Sequence, residues 1–257
     1  LEISNNNQDF STNGFMYTAQ SDISITQLVP ANGPLTGGTV VTVYGSNFVN
    51  SSNLHCKFGT SVSPLAVFVS NGTINCVSPA LVLPELVFLE ITNNNQDYST
   101  LQKVYRYDSL ISISALNPTN GPASGGTTVS LIGLNFLNSP NTLCRFDETP
   151  VNSTWISNTL IACRSPAMTV GYVTVEATNN AQDYTNSSLK FQARPAPTVD
   201  SIAPSYGTRD GGTLVTVTGA NYINQNGLFC RFGATKSTAS YLSATQLQCL
   251  SPQVVAA

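Results

Sequence analysis

Short runs in which apolar and polar residues alternate recur along the whole chain. Val41 and Val43 flank Thr42, Val129 and Leu131 flank Ser130, and Val215 and Val217 flank Thr216. A period of two buries one side of a strand and wets the other. The segments Cys56-Lys57-Phe58, Cys144-Arg145-Phe146 and Cys230-Arg231-Phe232 set Cys and Phe on one face and the cation on the opposite one. No window of useful length shows helical periodicity. A Gly-Gly pair opens each alternating run (Gly37-Gly38, Gly125-Gly126, Gly211-Gly212) and a single glycine ends it (Gly45, Gly133, Gly219). Such glycines suit turns and bulges, where φ turns positive. Short strands punctuated by turns predict an all-β protein built as a sandwich.

The pattern is periodic on a larger scale. PANGPLTGGTVVTVYGSNF starts at Pro30, PTNGPASGGTTVSLIGLNF at Pro118 and PSYGTRDGGTLVTVTGANY at Pro204, offsets of 88 and 86 positions. The Cys-x-Phe segments keep that phase, as do CVSP at Cys76, CRSP at Cys163 and CLSP at Cys249. A tail motif, N-N-x-Q-D-[FY], begins at Asn5, Asn93 and Asn179. Self-similarity at a fixed period marks a tandem array. The expected boundaries are 1–20 for the closing strands of a preceding or neighbouring domain, then 21–108, 109–195 and 196–257 for three domains, the last short of its final strands. Linkers this short predict an elongated, semi-rigid rod.

These motifs together resemble the IPT/TIG domain family across essentially the whole chain: I-x-x-L-x-P-x-x-G-P-x-x-G-G-T-x-V-T-V-x-G-x-N-F, then C-x-F, C-x-S-P and the tail. The resemblance implies tandem immunoglobulin-like sandwiches of the early-set type. It also implies a branch: members occur in plexin-like and Met-like receptor ectodomains and in social-amoeba adhesion proteins, while related domains in transcription factors contact DNA. Fold alone does not choose a function.

The cysteines bear on that choice. Six permit fifteen pairings, and the repeat reduces them to one scheme, Cys56–Cys76, Cys144–Cys163 and Cys230–Cys249. Zinc sites use closely spaced C-x₂₋₄-C pairs, which are missing here, and His55 is the sole histidine. Disulfides predict an extracellular or cell-surface location. Charged residues are only 9% of the chain, far below the roughly 25% of ordinary soluble domains, so Ser, Thr and Asn must supply the wet surface. Sequons at Asn50, Asn71, Asn152 and Asn186 are candidate N-glycosylation sites.

Other chemistry is not encoded. The net charge is −3 and no run of Lys or Arg occurs, whereas nucleic-acid binding needs a basic stripe. His55 has no counterpart in the other repeats, where Leu143 and Phe229 stand, so a hydrolytic triad is not expected. The thirteen acids are scattered, with Asp147-Glu148 the only adjacent pair. The tail offers one carboxylate per copy (Asp9, Asp97, Asp183), few for calcium, and Asn and Asp favour turns. The expectation is a hairpin turn with its Tyr or Phe packed inward. No catalytic residue, metal or cofactor is expected, and no stretch approaches the ~20 apolar residues of a membrane span.

Leu1–Tyr17 aligns on Leu89–Tyr105, and Ala257 on Gly171. Joining the two ends nearly rebuilds one domain. Either the segment is an excerpt of a longer array, or chains join head to tail through strand addition, with Leu1, Ile3, Phe10 and Tyr17 as the end-to-end contact. Alone, the third domain is expected to be unstable. The first functional expectation is therefore a glycosylated structural fibre or surface appendage whose partners are copies of itself or adjacent repeats. The alternative is an adhesion or recognition ectodomain of a cell-surface receptor that binds a protein partner. The last is a non-catalytic module of a secreted carbohydrate-active enzyme.

Overall fold

The computed structural model describes residues 1–63 and 65–253. Pro64 and residues 254–257, which carry the expected end of the third domain and its alignment of Ala257, lie outside the described residues. The chain divides into two compact units. The first comprises Leu1–Ser112, Leu134–Thr142 and Ala177–Thr185; the second comprises Ile113–Gly133, Leu143–Glu176 and the residues from Asn186 onward. No helix forms among the described residues, so none is long and apolar enough to cross a membrane.

The strands follow the repeat. The first repeat holds β1 (Ser24–Val29), β2 (Asn32–Pro34), β3 (Val40–Ser46), β4 (His55–Phe58) and β5 (Ser61–Val62). It continues with β6 (Ala66–Ser70), β7 (Thr73–Val77), β8 (Leu86–Thr92) and β9 (Lys103–Asp108). The second holds β10 (Ser112–Asn117), β11 (Asn120–Pro122), β12 (Thr128–Leu134) and β13 (Leu143–Phe146). After these come β14 (Thr149–Ser157), β15 (Leu160–Arg164), β16 (Gly171–Thr178) and β17 (Lys190–Arg194). The third holds β18 (Thr198–Ala203), β19 (Leu214–Ala220), β20 (Phe229–Phe232), β21 (Thr235–Ser243) and β22 (Gln246–Leu250).

In the first unit a sheet of order β1-β3-β7-β6 faces one of order β2-β9-β8-β4-β5, with β2 and β9 parallel and the other recorded pairs antiparallel. The alternation sets the inner faces: Val41, Val43, Ile74 and Cys76 from one sheet meet Cys56, Phe58, Leu89, Ile91 and Tyr105 from the other in a single buried cluster. Phe58 and Tyr105 pack edge to face at 5.1 Å, as do Tyr105 and Tyr107, the arrangement ring quadrupoles favour. The Cys56–Cys76 disulfide ties β4 to β7 across the core.

In the second unit the eight strands of the second repeat form one continuous sheet, β10-β12-β15-β14-β13-β16-β17-β11. It is continuous because β14 changes partner: Thr149–Asn152 pair with β13 and Ser153–Ser157 with β15. The matching stretch of the first repeat is split into β5 and β6. The third repeat forms a sheet of order β18-β19-β22-β21-β20. Its core cluster is small, with Val215, Val217, Tyr222 and Leu247 buried and Cys230 and Phe232 only partly covered. Cys144–Cys163 and Cys230–Cys249 are disulfides with Cα separations of 6.3 and 6.2 Å.

The glycines separate into two physical classes. The Gly-Gly pairs have positive φ throughout, from 67° at Gly37 to 89° at Gly126. Gly45 and Gly219 do not share that conformation. They are required by close approach: a Cβ would lie 2.0 Å from the Ser24 carbonyl oxygen at Gly45 and 1.9 Å from that of Thr198 at Gly219.

Candidate interaction site

The tail motif folds the same way three times. Its second Asn (Asn6, Asn94, Asn180) accepts through Oδ1 from the backbone N–H of the Gln (Gln8, Gln96, Gln182) at 3.0 Å each. The same oxygen accepts from the N–H of the Asp at 2.9, 2.9 and 2.8 Å. Its Nδ2 donates to that Asp carboxylate at 2.7, 2.7 and 2.6 Å. Each is a side-chain-closed turn in which a polar side chain replaces a backbone partner. The residue between takes φ near 60°: Asn7, Asn95 and Ala181. Asn visits that region routinely, whereas Ala stores strain there.

The first Asn has a bracing role. Asn93 Nδ2 donates to the Asn47 carbonyl and its Oδ1 accepts from Val49 N–H; Asn179 does the same to Asn135 and Leu137. The tail aromatics are not core residues. Tyr98 is partly exposed, with the Lys57 ammonium 4.1 Å from its ring centroid and 2.5 Å from Glu90; Phe10 is 52% exposed. The expected inward packing is therefore not what the structure has at these two residues.

The third copy, Asn179–Tyr184, is engaged inside the first unit by the loop Asn32–Val40. Asn180 Nδ2 donates to the Asn32 carbonyl at 3.1 Å, and the Thr39 hydroxyl donates to the Asp183 carboxylate at 2.6 Å. Gln182 brackets Val40, accepting from its N–H at 2.9 Å and donating to its C=O at 3.2 Å. Thr39 is fully buried by this contact, whereas its equivalents Thr127 and Thr213 are only half-buried. The Gly37-Gly38 turn leads directly into this contact, with φ of 67° and 85°, a conformation that favours glycine. Burial pushes the pKa of the Tyr105 phenol beneath this loop above its ordinary value, and burial does the same at Tyr107, which donates to the Pro79 carbonyl at 2.9 Å.

Sequence reasoning on Asp9, Asp97 and Asp183 as candidate ion ligands missed this role. Each carboxylate already accepts from its own turn's Asn, and Asp183 also serves Thr39. The sign available in the sequence was the joint repetition of N-G-P-x-x-G-G-T with the tail. The other singled-out residues lie apart. Asn50, Asn71, Asn152 and Asn186 are all exposed, Asn152 on strand β14 rather than in a loop. His55 sits at the surface with Nδ1 3.0 Å from the Asn53 carbonyl oxygen. Leu1, Ile3 and Tyr17 are 78%, 74% and 82% exposed. Residues 1–20 form no strand among the described residues, only the Ser4–Phe10 bridge, because the ladder that β4 offers to β8 has no counterpart beside them.

The three repeats, each with its disulfide and glycine-rich loop, match the IPT/TIG domain over residues 24–107, 112–193 and 197–257. The chain belongs to the IPT/TIG family. Its IPT/TIG repeats are similar as a continuous stretch to Plexin-A4 of Danio rerio, 25% identical over an alignment of 253 positions that covers 90% of this chain and 13% of that protein. Plexin-A4 of Homo sapiens is 27% identical over 89% of this chain and 13% of its own length, and human Fibrocystin-L 23% identical over 91% and 6%. The chain thus spans about an eighth of the length of these plexins. A solved structure of the full extracellular region of plexin A4, domains 1 to 10, superposes with a TM-score of 0.51 at 21% identity, covering 99% of this chain and 23% of that one, which establishes the shared fold. With three disulfides and this relationship, the protein is extracellular or at the cell surface.

Proposed function

We propose that these IPT/TIG repeats are part of the ectodomain of a cell-surface receptor, serving adhesion or recognition of a protein partner rather than catalysis. The observation that carries this is the continuity of the match: a single alignment with a plexin relative runs through 90% of this chain, itself three successive IPT/TIG repeats. A match that runs through successive repeats is a stronger tie than a shared sandwich, which many unrelated functions use. The exposed sequons Asn50, Asn71, Asn152 and Asn186 carry N-glycans on this reading, and the three domains run 21–108, 109–195 and 196–257. The test is the complete gene and its product on cells. An apolar span of about 20 residues beyond the repeats, with surface labelling of intact cells, is expected. A full-length product that is released quantitatively, with neither span nor lipid anchor, would sink the receptor reading.

The fibre reading has one specific observation in its favour. Leu1, Ile3 and Tyr17 are exposed, whereas Leu89, Ile91 and Tyr105, which align with them, are fully buried. Head-to-tail strand addition would bury them. Electron microscopy of the unreduced material, paired with its denatured mass, decides: long fibres of a chain near 27 kDa support it, and isolated particles end it.

A further inference from the structure

We propose that the loop Asn120–Thr128 is a second docking site for an Asn-Gln-Asp hairpin of the N-N-x-Q-D-[FY] type, read by the same atoms that hold Asn180, Gln182 and Asp183 in the first unit. This goes beyond the receptor reading and stands without it.

Two clefts carry the inference. In the first unit, Asn32, Gly33, Pro34, Asp108, Ser109 and Ile111 surround the seated hairpin, leaving about 20 Å³ of open volume. In the second unit the six residues at the matching repeat positions, Asn120, Gly121, Pro122, Arg194, Pro195 and Pro197, line a cleft of about 550 Å³. The parallel pairing that shapes the loop is the same in both: Asn32–Pro34 lie on Arg106–Asp108, and Asn120–Pro122 on Gln192–Arg194. Gly37 and Gly38 turn at 67° and 85°, Gly125 and Gly126 at 79° and 89°. The donor that grips Asp183 is Thr39; its counterpart Thr127 is half-buried, and its hydroxyl makes no hydrogen bond among the described residues. The counterpart of Val40, which Gln182 brackets, is the exposed Thr128.

Charge also favours the second cleft. Where Asp108 borders the filled one, Arg194 borders the open one, and its Nε is buried without an acceptor among the described residues. A carboxylate arriving as Asp183 does in the first unit would meet a cation rather than an anion, and charge-assisted hydrogen bonds are the strong ones. The ligand class is already represented in this chain. Asn5–Phe10 has the residues and internal hydrogen bonds of the docked copy, and its Asn6, Gln8 and Asp9 are exposed.

The probe is a backbone-cyclised peptide spanning Ile3–Ser11, whose ends already meet through Ser11 N–H on the Ile3 carbonyl at 2.9 Å. It is titrated into the ¹⁵N-labelled full chain. Saturable amide shifts confined to Asn120–Thr128 and Arg194 are expected. Thr127→Val in the chain, or Asp9→Ala in the peptide, should each weaken binding about tenfold, the equivalent of ~1.4 kcal/mol, while Thr127→Ser keeps it. Self-association of the chain alone that Thr127→Val abolishes would also support the site, with a second copy as the source of the hairpin. No saturable shift at millimolar peptide, shifts confined elsewhere, or indifference to Thr127→Val in a variant with unchanged spectra overturns the proposal.

Discussion

Adjacent glycines of one turn should differ sharply in what they tolerate, and the second repeat offers the cleanest place to measure it. Gly125 and Gly126 both hold positive φ, 79° and 89°, so replacing either by Ala incurs the left-handed penalty of about 1–2 kcal/mol. Their surroundings then diverge. A Cβ on Gly125 would sit 2.5 Å from the carbonyl carbon and oxygen of Pro166 and 2.7 Å from Ala167 N, all backbone. On Gly126 the nearest atom is Arg164 Nη2 at 3.5 Å, ordinary contact with a flexible side chain. Relieving the first clash means parting the two segments by most of an ångström. That strains two bonds spanning them, Gly126 N–H to the Ser165 carbonyl and Ser165 N–H to the Thr127 carbonyl, both 2.8 Å, each worth about 1 kcal/mol. Gly126→Ala should therefore cost about 1–2 kcal/mol and Gly125→Ala about 3–4. Trp155 is the only tryptophan and lies on β14, opposite Ile161 of β15, so its fluorescence reports this repeat alone. With a slope of roughly 2 kcal/mol/M in urea, the two midpoints should differ by about 1 M. Equal midpoints, or a larger loss for Gly126→Ala, would refute the steric argument.

Removing the Cys144–Cys163 link by a double change to Ala frees a loop of separation 19 and should destabilise the second repeat by about 3 kcal/mol, again read from Trp155; an unchanged midpoint would contradict it. In the first unit, Thr39→Val and Asp183→Asn should each be destabilising, with a coupling of about 1–2 kcal/mol in a double-mutant cycle, followed by hydrogen exchange at the Val40 amide; strictly additive effects would show that the 2.6 Å contact contributes nothing. Burial raises the Tyr107 pKa, so the folded state keeps a proton the unfolded state releases near pH 10. That stability is intact below pH ~10 and declines as pH rises toward the folded value. Tyr107→Phe should lose about 1 kcal/mol at neutral pH with its bond to Pro79, yet show a shallower alkaline decline by near-ultraviolet circular dichroism. An equal slope in both proteins would argue against the burial effect.

What the sequence determined by itself is the part of the protein that is periodic. Val41 and Val43 flank Thr42, and Val129 and Leu131 flank Ser130; alternation in a strand has only one geometric meaning, so sandwich, core faces and family followed from pattern and phase. What only the tertiary structure decided is where the repeated polar segments go once the strands are placed. Asn180, Gln182 and Asp183 read as a turn, and they are one; that the same side chains also hold the Thr39 hydroxyl and the backbone of Asn32 and Val40, more than 140 positions away in sequence, depends on a placement that no residue identity reveals. Gly45 carries the same lesson: its letter permits positive φ, which it does not adopt, and the close approach of Ser24 is what requires a glycine there. Periodicity encodes which side chains leave water together, whereas hydrogen bonds between loops are set by the positions of main-chain N–H and C=O groups, and those exist only after folding.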